Sequence, residues 1–208
     1  MRASSRFVVL AILFNVCLIA SNLFETKIFA AGPLVLTGGL LIFPISYIIN
    51  DCLTEIWGYR TARNVIWVAF LMNLFVVAIA QLVRILPPAA FWDGQEHFDY
   101  IFTADLRITA ASMLAFLFGS LVNSLIMDKM RRSSVDGKGF GWRAVLSTLG
   151  GEGLDSIIFF PVAFWGVGFR NMLIMMITQI VLKTFYEILV LPVTMLVVRG
   201  LRQTGQME

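Results

Sequence analysis

Cysteine and histidine are scarce in this chain, which has two cysteines and one histidine among 208 residues. Cys17 and Cys52 have no Cys-x-x-Cys or metal-ligand spacing, so we expect buried, inert thiols rather than a disulfide framework or a zinc site. A single histidine, His97, excludes a His-Glu-x-x-His metal site, and no Gly-x-Ser-x-Gly sequence is present. These absences argue against a hydrolase, and we expect no catalytic residue, no metal and no cofactor.

Charged residues are also few, at 14% of the chain, whereas 59% of the residues are hydrophobic. The mean hydropathy is +0.84, and a soluble domain of this size would not need so much apolar surface. The sequence therefore predicts a protein embedded in a lipid bilayer. The formal net charge of +3 gives no sign of a nucleic-acid partner.

Six apolar runs have nearly the length of about 20 residues that a helix needs to cross the hydrocarbon core. The connections between them are short except for 84–107 and 128–143, so no separate soluble domain fits. We therefore predict an all-α, polytopic membrane protein with one domain over residues 1–208. The six predicted spans are Phe7–Phe24, Thr37–Trp57, Ala62–Val83, Ile108–Met127, Val145–Gly168 and Met172–Val198.

The distribution of lysine and arginine predicts the orientation of the spans. Eleven of these residues fall in the termini and the even-numbered loops, and four fall on the opposite side, so both termini are predicted to be cytoplasmic. Arg2 and Arg6 before an apolar run would also suit a cleaved signal peptide. However, no clean small-x-small cleavage site follows, and Asn15 and Asn22 share one helical face, so we expect the first span to remain.

The fifth span carries two acidic residues, Glu152 and Asp155, on one helical face. Ionised groups at that depth cost at least a few kcal/mol each, so they pair or face a cavity and often mark a substrate path. Gly150, Gly151 and Gly153 surround Glu152 and are expected to weaken or open the helix around a site. The alternative is that these glycines only allow close helix packing.

The sixth span carries Gln179, Lys183 and Glu187 at four-residue spacing, which places the three side chains on one stripe of the helix. A polar stripe on an apolar helix is expected to face the interior of the bundle. Lys183 could pair with Glu187 within the helix or with a carboxylate of the fifth span. Either pairing could be structural or could take part in substrate or proton binding.

The second span has Pro44 near its start and two acidic residues, Asp51 and Glu55, near its end. Pro44 removes one backbone hydrogen bond and is expected to kink the helix. Arg60 and Arg63 follow closely in sequence, which favours a solvated or salt-bridged helix end. The alternative for Asp51 and Glu55 is a gate or a proton relay at the inner mouth.

A polar segment ends the first span, where Asn22, Glu25 and Lys27 lead into a loop from Ala30 to Gly39 that contains glycine and proline. This loop could cap a site that opens outward. We assign Glu25 and Lys27, like Asp51 and Glu55, gating or structural roles.

These motifs together resemble the queuosine precursor transporters, also called the vitamin uptake transporter family. The resemblance covers nearly the whole chain, and its specificity lies in the number and order of the motifs. They are Asn22 through Lys27; Phe43-Pro44 with Tyr47, Asp51, Glu55 and Gly58; Arg107 through Phe116; Ser147-Thr148-Leu149 with Asp155-Ser156; Ala163-Phe164-Trp165; and Lys183 with Pro192.

The resemblance implies uptake of 7-cyano-7-deazaguanine, or of its aminomethyl form, across the bacterial inner membrane for the synthesis of the tRNA nucleoside queuosine. It also implies a six-helix architecture similar to the substrate-binding subunits of energy-coupling-factor importers. The expected mechanism is alternating access around a midplane pocket. The predicted substrate-binding residues are Asn22, Glu152, Asp155, Gln179, Lys183 and Glu187.

Such a ligand fits these residue types. A guanine-like edge offers N–H donors that a carboxylate accepts side by side, and it offers a carbonyl that a lysine or an amide can bind. Its flat ring requires aromatic walls. The candidates for these walls are Phe159, Phe160, Phe164, Trp165, Phe185 and Tyr186.

The alternative function is a substrate-binding subunit of an ATP-driven importer. The chain contains no Walker A sequence, so any use of ATP would depend on a separate ATPase module. The energy source stays open, and both a monomer and a homodimer stay open as the working unit.

Overall fold

The computed structural model describes residues 4–24, 26–31, 34–102, 106–133, 139–163, 165–166 and 168–205. Helices dominate this part of the chain, and one short β-hairpin and one short 3-10 helix join the first two long helices. In chain order, the elements are α1 (Ser5–Phe24), β1 (Ile28–Ala31), β2 (Leu34–Thr37), a 3-10 helix (Gly38–Leu41), α2 (Phe43–Trp57), α3 (Tyr59–Arg84), α4 (Gln95–Phe102), α5 (Leu106–Arg132), α6 (Phe140–Ala163) and α7 (Phe169–Gly205).

Six helical segments of the described chain are long and apolar enough to cross a membrane, which confirms the predicted all-α fold with six spans. The chain is therefore a multi-pass membrane protein. The additional helix α4 lies in the long connection between α3 and α5. Helix α7, with 37 residues, is about 55 Å long and exceeds the hydrocarbon core of about 30 Å.

The second span differs from the prediction because it is built in two pieces. A 3-10 helix covers Gly38–Leu41, and α2 begins at Phe43 with Pro44 in its first turn. Proline is tolerated there, since the first N–H groups of a helix have no intrahelical partner. Pro44 therefore starts α2 and does not kink it, contrary to the expectation from the sequence.

A glycine in the left-handed region separates α2 from α3. Gly58 has a φ of 78° and its N–H donates to the Thr54 carbonyl at 3.0 Å. A Cβ at this position would lie 3.2 Å from Arg131 Nη2 of α5. The conformation and the close approach both favour glycine, so α2 ends and α3 starts within one residue.

Helices α5 and α6 pack closely through two glycines that face each other. A Cβ on Gly119 would lie 3.0 Å from the Gly151 carbonyl oxygen, and a Cβ on Gly151 would lie 2.8 Å from that of Gly119. Helix α6 runs without interruption from Phe140 to Ala163, so the glycines do not open it. The prediction of an opened helix is wrong, and the alternative of close packing describes the structure.

The segment between the first two spans, predicted as a loop, contains the antiparallel hairpin of β1 and β2. Its register pairs Ile28 with Thr37 and Ala31 with Leu34. The Gly38 N–H donates to the Lys27 carbonyl at 2.8 Å and closes the base of the hairpin.

Helix α2 is the central helix of the bundle. About two thirds of its span is buried by the rest of the protein, at 67%, against 17% for α1 and 22% for α3 and α7. Apolar side chains of α1, α2, α3 and α5 form the largest core cluster, around Phe14, Leu53, Ile66 and Phe116. The buried polar residues lie mainly on α2, α5, α6 and α7, so these four helices position the candidate site.

Candidate functional site

A lysine on α7 and two carboxylates on α6 form a buried charge cluster. Lys183 Nζ lies 2.8 Å from Glu152 Oε2 and 3.8 Å from Asp155 Oδ2. At most 7% of each of these side chains is exposed. The predicted contact between Lys183 and a carboxylate of the fifth span is therefore present, and the short distance to Glu152 is that of a charge-assisted hydrogen bond.

An aromatic ring from α2 covers the ammonium group of this cluster. Lys183 Nζ lies 4.0 Å from the centroid of the Phe43 ring, which is within the range of a cation–π interaction. Phe43 also packs against Tyr47 and Phe116, with centroid separations of 5.6 and 6.3 Å. The cluster therefore combines two acidic groups, one cation and an aromatic face.

The aromatic residues proposed from the sequence lie elsewhere for the most part. Trp165 and Phe185 are 79% and 56% exposed, and Phe164 is outside the described residues. Phe160 is buried beside Phe159, and the Tyr186 hydroxyl donates to the Leu41 carbonyl at 3.3 Å.

A second buried ion pair joins α2 to α6. Arg143 Nη2 lies 2.7 Å from Glu55 Oε1, and the two side chains are 4% and 0% exposed. Arg131 of α5 donates to the Glu55 carbonyl at 3.1 Å. The end of α2 is therefore neither solvated nor paired with Arg60, which is exposed. The partner is Arg143, a residue predicted to lie in the connection 128–143.

Amides and hydroxyls form a polar layer between α2, α5 and α6. Asn50 Nδ2 donates to Asn123 Oδ1 at 2.9 Å, and Ser124 Oγ donates to Asn50 Oδ1 at 3.0 Å. Thr54 Oγ1 donates to Ser124 Oγ at 3.1 Å, and Asn123 Nδ2 donates to Thr148 Oγ1 at 3.3 Å. These hydrogen bonds satisfy buried polar groups, which lipid chains could not do because they have no hydrogen-bonding groups.

Asp51 and Glu187 approach each other beside this layer. Asp51 is fully buried and Glu187 is 3% exposed, and their carboxyl groups lie within hydrogen-bonding reach of each other. Ser147 Oγ lies 3.4 Å from Asp51 Oδ1. The structure thus brings Asp51 of the second span and Glu187 of the sixth span to the same interior region.

Asn22 lies in a different place from the charge cluster. It lines a cavity of about 230 Å³ with Thr26, Asn73, Gln81 and Ser112, and none of the residues that line this cavity is charged. The cavity is bounded mainly by α1, α3 and α5.

The other predicted residues are more peripheral. Gln179 is half-buried on α7, one turn before Lys183, and Lys27 is exposed beside the hairpin. Glu25 lies outside the described residues. No three His, Cys, Asp or Glu side chains among the residues that the structure places are grouped so that they could hold a metal ion.

Phe43, Asn50, Asn123, Arg143 and Ser147 were missed as site residues. A signal for two of them was present, because positions 143, 147, 151 and 155 follow one face of α6. In the sequence, Phe43 is marked only by its position next to Pro44. The packing of α2 against α7 brings the Phe43 ring to Lys183.

The family and the relatives that match this chain are all described as transporters. Residues 37–197 match the sequence profile of a family described as "Putative vitamin uptake transporter". A "Probable queuosine precursor transporter" of Bacillus subtilis (strain 168) is 27% identical over 149 residues, which is 72% of this chain and 65% of that protein. A "Queuosine precursor transporter" of Escherichia coli (strain K12) is 29% identical over 133 residues, which is 62% of this chain and 55% of that protein.

A third relative, from Haemophilus influenzae (strain ATCC 51907 / DSM 11121 / KW20 / Rd), is also described as a "Probable queuosine precursor transporter". It is 27% identical over 131 residues, which is 62% of this chain and 52% of that protein. The chain therefore spans between about half and two thirds of the length of these curated relatives. No solved structure matches the chain.

Proposed function

Since the chain belongs to the vitamin uptake transporter family, we propose that it imports a queuosine precursor by alternating access. The substrate in this proposal is 7-cyano-7-deazaguanine or its aminomethyl form. The names of the three relatives support this substrate class. The family and these relatives are described as transporters and not as enzymes, in agreement with the prediction from the sequence.

The observation that carries the proposal is the buried cluster of Lys183 with Glu152 and Asp155 under the Phe43 ring. A carboxylate can accept the N1–H and the exocyclic amino group of a guanine-like edge, and the lysine can donate to the adjacent carbonyl. The Phe43 ring offers a flat apolar surface to the heterocycle. The lysine and the carboxylates also lie close to each other, so none of these buried charges lacks a charged partner.

The other predicted residues take supporting places in this proposal. Gln179 adds an amide one turn from Lys183, and Asn22 marks an uncharged cavity through which a neutral heterocycle enters. Glu187 lies one turn beyond Lys183 on α7. Lys27 and Glu55 serve as gating or structural groups, with Glu55 held by Arg143.

The proposed location is the bacterial inner membrane, with both termini in the cytoplasm. Lys129, Arg131 and Arg132 lie together in the last turn of α5, as the preference of basic residues for the cytoplasmic side requires. The mechanism applies to a monomer and to a homodimer alike.

The test is uptake of labelled 7-cyano-7-deazaguanine by cells that can neither make nor import it and that express this chain alone. Lys183→Met and Asp155→Asn are expected to abolish uptake at equal expression. Lys129→Met, at an exposed position on α5, is the matched control and is expected to retain it. Full uptake by both cluster variants would refute the proposed site. No uptake by folded wild type, restored only by a separate ATPase module, would identify a partner-dependent binding subunit instead.

A further inference from the structure

The buried interior between α2, α6 and α7 contains more acidic than basic groups. Among the described residues of these helices, five acidic and two basic residues are at most 5% exposed. Five carboxylates and two cations cannot all be ionised in a medium of low dielectric without a large desolvation cost. Protons bound in this region would remove part of this cost. The residues are Asp51, Glu55, Glu152, Asp155 and Glu187, with Arg143 and Lys183.

The two basic groups are placed at the two ends of this region. Arg143 lies 2.7 Å from Glu55, and Lys183 lies 2.8 and 3.8 Å from Glu152 and Asp155. Asp51 and Glu187 remain between them as two carboxyl groups within hydrogen-bonding reach of each other. Two of the three acidic groups that exceed the number of cations therefore lie at this carboxyl pair, and the third belongs to the Lys183 cluster.

One oxygen on each member of the pair has no hydrogen-bond donor. Asp51 Oδ2 and Glu187 Oε2 are both buried, and neither accepts a hydrogen bond from any residue that the structure describes. An ionised carboxylate has no hydrogen to donate, so two ionised groups cannot satisfy each other. A proton on one of them would turn the contact into an O–H···O hydrogen bond.

Neutral polar groups lie next to the pair. Ser147 of α6 reaches Asp51 at 3.4 Å, and Thr148 of α6 and Asn123 of α5 also approach the two carboxyl groups. The titratable groups close enough to interact with the pair are Tyr47 and Cys52 of α2, which interact with Asp51, and Glu152 of α6, which interacts with Glu187. The charged groups farther along these helices are Glu55 with Arg143, and Asp155 with Lys183.

We propose that Asp51 and Glu187 form a proton-binding site that couples substrate transport to proton movement. One proton is held as an O–H bond on one carboxyl group and is donated to an oxygen of the other. When the pair gains contact with water on one side of the membrane, that O–H bond breaks and a new O–H bond forms on a water molecule, which carries the proton away as hydronium. The carboxyl group keeps the electron pair and becomes a carboxylate. This inference rests on the proposed transport function.

The geometry links this site to the substrate cluster through one helix. Glu187 follows Lys183 by one turn of α7, so a displacement of α7 moves both sites together. The packing of α2 against α7 supplies the partners on the other side, Asp51 for Glu187 and Phe43 for Lys183. Separation of these two helices would open the carboxyl pair and the substrate cluster in one step.

The test uses the full chain in liposomes with labelled 7-cyano-7-deazaguanine. Exchange of substrate across the membrane requires no net proton movement, whereas accumulation against a gradient does. One coupled proton and a pH difference of about one unit support about tenfold accumulation. We expect wild type to show both activities and Asp51→Asn to exchange substrate without accumulating it. Glu96→Gln, exposed on α4, is the control and is expected to behave as wild type.

A second measurement separates this inference from the substrate assignment. The infrared carbonyl stretch of a protonated carboxylic acid is expected in purified wild type and in Glu96→Gln at neutral pH, and is expected to be lost in Asp51→Asn and Glu187→Gln. Absence of that band in wild type would overturn the shared proton, as would pH-driven accumulation by Asp51→Asn. A wild type that neither exchanges nor accumulates the precursor but keeps the band would refute the substrate and retain the proton site.

Discussion

Arg143 and Glu55 are separated by 88 positions in the sequence and form a buried ion pair with an Nη2 to Oε1 distance of 2.7 Å. The pair ties the end of α2 to the first turn of α6. Both side chains are almost completely enclosed, so neither charge has water as a substitute partner. Removal of either group is therefore expected to lower the free energy of unfolding more than removal of a surface charge does.

Arg143→Met is expected to lower the free energy of unfolding by about 3–5 kcal/mol, because it leaves Glu55 buried without its cation. Thermal unfolding in detergent measures this loss. Arg60→Met removes an exposed arginine and is expected to change stability by less than about 0.5 kcal/mol. A double variant Arg143→Met, Glu55→Gln should recover part of the loss, and equal stability of Arg143→Met and wild type would contradict the pair's role.

Phe43→Leu is expected to weaken precursor binding about tenfold, since the ring loses its contacts with Lys183 and with the heterocycle. Phe43→Tyr keeps the aromatic face and is expected to bind as wild type. Equilibrium binding to the purified protein measures the change. Phe75→Leu on α3, at a position that is 60% exposed, serves as the control, and unchanged affinity in Phe43→Leu would remove Phe43 from the site.

Gly151→Ala is expected to destabilise the protein by about 1–3 kcal/mol through overpacking. Its Cβ would lie 2.8 Å from both the Gly119 carbonyl oxygen and the Asn123 Cβ. The matched variant is Gly153→Ala, where no atom lies within 4 Å of the added Cβ and a gain of up to about 1 kcal/mol is expected from helix propensity. Equal unfolding temperatures for the two variants would contradict the close α5–α6 contact.

Ala80→Trp is expected to slow uptake strongly, because the indole would fill the uncharged cavity that contains Asn22 and Gln81. Ala78 lies two residues earlier on α3 and is exposed, so Ala78→Trp is the control. Initial uptake rates at equal expression provide the comparison. If both variants transport at the wild-type rate, the cavity does not lie on the substrate path.

The six spans could be predicted from the sequence because the length and hydropathy of an apolar run are local properties. The burial of Lys183 and Glu187 was also predictable from a local property, because four-residue spacing places the two side chains on one stripe of α7. The sequence left two partners open for Lys183, Glu187 in the same helix or a carboxylate of the preceding span, and the structure shows the contact with Glu152.

Other features depend on how the helices are aligned with one another, which local pattern does not specify. Helix α6 begins at Phe140, before the predicted start at Val145, and this difference places Arg143 inside the bundle. Pro44 was compatible with both a kink and a helix start, and only the preceding 3-10 helix decides between them. The approach of Phe43 to Lys183 depends on the packing of α2 against α7.

Helices α2 and α6 are also the least apolar of the six spans, with hydropathies of 1.3 and 1.2, and they carry the two members of the Glu55–Arg143 pair. During synthesis α2 leaves the ribosome long before α6, so Glu55 enters the membrane without Arg143, and an unpaired charge on a lone helix disfavours insertion. Stable integration of α2 therefore waits for the second half of the chain. A protein truncated after α5 would expose α2 to cellular quality control.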